Sequence, residues 1–109
     1  MSLDPDAIYR EVISAGEKWA DLKSAYEALD DNTKSVLADI QANFLDGGKI
    51  TKSEAEMRAL ASGDYKQHLA SVSAARKAFL RAQVKYDSLK TLAELRRSQE
   101  STRRAEMRL

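Results

Sequence analysis

The sequence predicts an all-α protein: an elongated antiparallel helical hairpin or bundle of about four helices, with one very long C-terminal helix, completed by oligomerisation. Three observations predict it. The stretch from Asp64 to Leu109 contains neither Pro nor Gly. Within it, Tyr65, His68, Val72, Ala75, Phe79, Ala82, Tyr86, Leu89 and Ala93 recur at spacings of three and four, the seam of one long helix. Ile8, Val12, Ala15, Trp19, Leu22, Tyr26 and Leu29 repeat the pattern near the front of the chain. A continuous rise of about 1.5 Å per residue makes the last helix roughly 65–70 Å long. A single domain is expected over 1–109, with N-terminal helices in 4–62 and the long helix in 64–109.

Asp4-Pro5-Asp6 starts the first helix. Asp4 can cap it, Pro5 suits the first helical position because its missing N–H had no partner there, and Asp6 sits at the positive end of the dipole. Gly16 lies beside the seam and costs about 1 kcal/mol relative to Ala unless another helix approaches closely there. Trp19 is the largest hydrophobic anchor and is expected in the core with its indole N–H near the rim. Asp30-Asp31-Asn32-Thr33 should break or bend this helix, because short polar side chains compete for backbone hydrogen bonds.

A second helix is expected from about Thr33 to Leu45, with Val36, Leu37, Ile40, Phe44 and Leu45 facing inward. Asp46-Gly47-Gly48 stops it, since glycine readily takes the left-handed turn past a helix end. In Thr51-Lys52-Ser53-Glu54-Ala55-Glu56, Thr51 with Glu54 and Ser53 with Glu56 both have capping-box spacing, which opens a short third helix through Met57 and Leu60. Ser62-Gly63-Asp64 ends that helix and caps the long one. On these lengths the first helix covers only the first part of the last. The remainder from about Leu89 onward is left without an intrachain partner unless the second and third helices fold back over it. Leu89, Leu92 and Leu95 extend an apolar stripe there, so a homo-oligomer is expected, most simply a two-fold dimer. Trp19, Phe79, Tyr86, Leu89, Leu92 and Leu95 are the candidate core or oligomer seam.

Charge is unevenly placed beneath a net of +1. Residues 1–48 hold ten acids against four bases, and residues 49–109 hold fourteen bases against seven acids. Complementary helix surfaces account for this division, although a protruding C-terminal end would keep its positive field. Without cysteine, disulfides, zinc–thiolate sites and thiol nucleophiles are excluded. The longest apolar runs are a few residues, and no basic segment followed by an apolar one opens the chain, so neither a membrane span nor a signal peptide is expected. A cytoplasmic location follows by default.

Catalytic and cofactor chemistry finds no foothold. Phe44 to Glu54 resembles the second half of a calcium-binding EF-hand loop, with Gly48 at the sharp turn. Asn43, Leu45 and Gly47 then occupy the first three ligand positions, and two of these lack a side-chain oxygen. His68 is the only histidine and cannot build a zinc site without other ligands. Gly47-Gly48 is followed by no phosphate-loop Lys-Ser/Thr pair, no G-x-S-x-G turn occurs, and capping accounts for Asp30-Asp31. We expect no catalytic, cofactor-binding or metal residues, and a non-enzyme.

The C-terminal end carries the candidate contact surface. Arg96 and Arg103, like Arg97 and Arg104, are seven apart and return to one side of a helix, and Arg108 extends the second row. Such rows can bind phosphates, with Arg76, Lys77, Arg81, Lys85 and Lys90 continuing the positive side upstream. Glu100, four from both Arg96 and Arg104, supports internal pairing on a solvated helix instead. No aromatic is interleaved, so stacking on single-stranded bases is not indicated. An acidic protein partner and nucleic acid both fit these arginines, and the expected function is a helical oligomeric adaptor. The alternative is an accessory nucleic-acid binder.

The segments Thr51–Leu69 and Leu92–Leu109 resemble parts of small helical proteins encoded by tailed bacteriophages and prophages. That resemblance implies a phage accessory protein in the cytoplasm of the bacterial host, one of phage recombination or replication on the nucleic-acid alternative, and transfers no functional residue. The size and helical hairpin are similar to those of the small secreted WXG proteins, but the Trp-x-Gly turn is absent, since Ala20-Asp21 follow Trp19.

Overall fold

The structure, a computed structural model, describes residues 5–108, excepting the side chain of Pro5. Four helical elements follow one another: α1 (Pro5–Asp31), α2 (Thr33–Asp46), α3 (Lys52–Ala61) and α4 (Gly63–Met107). Among the described residues there is no strand. The expected cap at Asp4 and the last residue of the expected 64–109 helix lie outside the described residues. Pro5 is the first residue of α1 and Asp6 lies in its first turn. By packing the chain forms two compact units, Met1–Leu22 with Ala78–Leu109 and Lys23–Lys77.

In the unit Lys23–Lys77 the expected break at 30–33 shrinks to one residue. Asn32 keeps right-handed helical angles and makes no side-chain cap. Its N–H donates to the Ala28 carbonyl at 3.2 Å, and its carbonyl accepts from the Val36 N–H at 3.0 Å. Asp30, Asp31 and Asn32 are all exposed, so water solvates their side chains and they need not capture the backbone. Thr33 continues the heptad spacing from Leu29 to Val36 and Ile40, and all four are half-buried. Thr33 Oγ1 lies 2.9 Å from His68 Nε2, a polar contact inside an otherwise apolar seam.

The chain reverses after α2. Gly48 has φ +88°, and its N–H donates to the Leu45 carbonyl at 3.0 Å. Thr51 then caps α3, its hydroxyl accepting from the Glu54 N–H at 3.1 Å. α3 packs on α2 through Ala55 and Ala59, both 0% exposed. Two alanines one turn apart let the helices approach closely, which the larger Met57 and Leu60 would prevent. Met57 and Leu60 accordingly face solvent, as does Leu45, against the expectation that it faces inward. Ser62, in extended conformation, links α3 to α4. Its hydroxyl donates to the Ala59 carbonyl at 2.7 Å and accepts from the Tyr65 N–H at 3.2 Å, so one side chain closes one helix and opens the next.

In the unit Met1–Leu22 with Ala78–Leu109, the described residues of α1 and α4 run antiparallel. Trp19 stacks on Tyr86 with ring centroids 5.8 Å apart and planes 28° apart. A Cβ at Gly16 would stand 3.0 Å from Tyr86 Cε1 and 3.1 Å from Cζ, so this glycine is where the tyrosine ring crosses the opposite helix. Ile8 and Tyr9 lie beside Ala93, Arg96, Arg97 and Glu100. This register gives α4 an intrachain neighbour from Leu89 to Glu100, against the expectation that it has none there. Leu92 and Leu95 are exposed, since the step of four from Leu89 brings Ala93 to the seam and leaves both leucines beside it.

Candidate interaction surface

Every residue of the two expected seams, Ile8 to Leu29 and Tyr65 to Ala93, is buried or half-buried. The core they make is nevertheless shallow. Among the described residues the buried hydrophobic ones are Ile8, Ala15, Ala55 and Ala59, and no large side chain is fully buried. Two helices share only one line of contact, so each seam side chain keeps an edge toward solvent. Trp19, Phe79, Tyr86 and Leu89 are seam residues, all half-buried.

Two features stand out on the unit that contains α4 from Ala78 onward. The first is a groove of about 660 Å³ between α1 and α4. Its floor consists of Ala15, Ala78 and Ala82, with Leu22 and Leu89 toward its two ends. The rim carries Glu11 and Lys18 from α1 and Arg81 and Lys85 from α4. Small side chains at the floor leave the gap between the helices unfilled, whereas Trp19 and Tyr86 fill the neighbouring part of the seam. The second is an apolar stripe of Leu80, Val84 and Leu95, exposed by 42%, 66% and 54%. Spacings of four and eleven are close to whole turns, so the three share one side of α4.

The arginine rows lie on the same unit. Arg96, Arg97, Arg103, Arg104 and Arg108 are all exposed. Arg96 and Arg97 flank a crevice with Ile8, Tyr9 and Glu100 whose volume of about 10 Å³ holds no ligand. Glu100 pairs with Arg104 at 3.9 Å, one of the two partners its spacing allows. Arg103 borders an open depression beside Ser98, Gln99, Thr102 and Glu106 on α4 alone. The arginines are thus spread along a helix surface and do not converge on one point.

Among the described residues no group of three or more His, Cys, Asp or Glu could hold a metal ion. No helix there is long and apolar enough to cross a membrane. Spacing places Ala15 and Ala82 on the seams but not the groove above them or Ala78 beside it, because alanine carries little hydrophobic signal. The clue available was Arg81 and Lys85, like charges four apart beside Ala78 and Ala82. No protein-family model, curated protein or solved structure matches this chain.

Proposed function

We propose that the protein is a non-enzymatic helical interaction protein that self-associates, most simply as a two-fold dimer, and acts as an adaptor of the kind its phage resemblance implies. The observation that carries this is the shallow core. The chain leaves 8421 Å² accessible. A compact protein of its 12.2 kDa exposes only about 6,100 Å². A standard interface removes about 600–1,000 Å² from each partner, which this excess can supply. Leu80, Val84 and Leu95 supply an apolar stripe for such an interface. Burying the part of each that is still exposed would contribute about 0.6–2 kcal/mol.

Chemical denaturation over a hundredfold range of protein concentration tests this. The midpoint should rise with concentration, because a partner that binds only the folded chain stabilises it by mass action. A midpoint independent of concentration would refute self-association. The second reading, nucleic-acid binding, draws support from the exposure of all five C-terminal arginines. Duplex DNA should then bind at low salt, release steeply as salt rises, and be lost when Arg96, Arg97, Arg103 and Arg104 become Glu.

A further inference from the structure

We propose that the alanine-floored groove docks an amphipathic helix with acidic flanks, supplied by another protein. Shape is the first argument. The groove extends along α1 from Glu11 to Leu22, a span of about 16 Å or three helical turns. Its volume of about 660 Å³ is open between two antiparallel helices, and Ala78 and Ala82 leave room for inserted leucine-sized side chains. A third helix laid there would turn a two-helix seam into a three-helix core.

Charge identifies the occupant. Lys18, Arg81 and Lys85 rim the groove against a single acid, Glu11. Among the described residues none of these four is in an ion pair. Arg81 and Lys85 stand one helical turn apart, and like charges at this spacing destabilise a helix. An acidic flank on an incoming helix would relieve that repulsion. A second copy of this chain fits less well, because a two-fold axis through the groove brings six rim cations together with two acids. Nucleic acid fits less well too, since phosphates have no use for an alanine floor. The proposal rests on the reading of the protein as an interaction module, but not on its self-association, which the concentration series tests by itself.

The probes are two 16-residue helical peptides with leucines at positions i, i+3, i+4 and i+7. One carries Glu on its flanks, the other Lys at the same positions. Each is labelled and titrated with the full chain, binding being read by fluorescence anisotropy. The Glu peptide should bind at least tenfold more tightly than the Lys peptide, and raised salt should weaken it. Arg81→Glu with Lys85→Glu, both on exposed positions, should reverse the preference. Ala78→Trp should fill the groove and abolish binding, with circular dichroism confirming retained helicity. Should that variant not fold, the charge reversal alone decides the matter. Equal affinity for the two peptides would overturn the proposal, as would a Glu-peptide affinity unchanged by charge reversal. Displacement of the Glu peptide by duplex DNA through Arg81 and Lys85 would reassign the groove to nucleic acid. A dimer that Ala78→Trp converts to monomer would reassign it to a second copy.

Discussion

Gly16→Ala sets two opposed effects against each other, and the structure decides the sign. In an open helix the change stabilises by about 1 kcal/mol, because Ala loses less backbone entropy than Gly. Here the new methyl would stand 3.0 Å from Tyr86 Cε1, 3.1 Å from Cζ and 3.4 Å from the hydroxyl oxygen. The ring cannot simply slide away. Trp19 stacks on it at 5.8 Å, and Lys90 Nζ lies 4.4 Å from its centroid. Overpacking of this kind costs about 1–3 kcal/mol. The net expectation is a loss of about 1 kcal/mol, or a fall in Tm of about 4 °C for a chain this size. Tyr86→Leu removes the obstructing ring, so in that background Gly16→Ala should stabilise by about 1 kcal/mol, a coupling of about 2 kcal/mol. Urea unfolding of the four proteins at one fixed concentration, followed by circular dichroism, measures the cycle. Stabilisation by Gly16→Ala in the parent chain, or the same sign in both backgrounds, would refute the close approach of Tyr86 to α1.

Three further outcomes follow from local geometry. Asn32→Ala should stabilise by about 0.5 kcal/mol, since Asn32 is helical and caps nothing, whereas a true N-cap would lose about 1 kcal/mol on the same change. Ser62→Ala should cost about 1–2 kcal/mol in urea unfolding and speed hydrogen exchange at the Tyr65 amide, because it removes the hydroxyl's bonds to Ala59 and Tyr65. Normal protection at Tyr65 would contradict the shared-cap role. Thr33→Val alone should cost about 0.5–1.5 kcal/mol by leaving the His68 ring without its partner, and adding His68→Leu should restore most of the loss. An additive double variant would show that the two side chains do not interact.

The seams were legible in the sequence because hydrophobic period survives tertiary packing. Each seam position between Ile8 and Leu29 and between Tyr65 and Ala93 is buried or half-buried, as its spacing requires. The turn at Gly48 and the cap at Thr51 were legible for a different reason, as local chemistry suffices for both. The passage through Asn32 was not. Four polar residues in a row look like a stop, and Thr33, polar yet on the seam, hides the fact that the alternation continues to Ile40. Spacing alone also leaves Ala93 to Glu100 without a neighbour, although Ile8 and Tyr9 lie beside them. The arginine rows were found by spacing alone, but their pairing was not fixed, since Glu100 reaches one turn either way and binds Arg104. Alanine grooves are harder still, because they are made by what the side chains leave empty.

Sedimentation equilibrium across micromolar to near-millimolar loading reports directly on whether this shallow helix pair is completed by another copy of itself. A mass rising from 12.2 kDa toward twice that value, and falling back when Val84 and Leu95 are replaced by Glu, is the predicted result. A single 12.2 kDa species throughout, folded and reversibly denaturable, would contradict it.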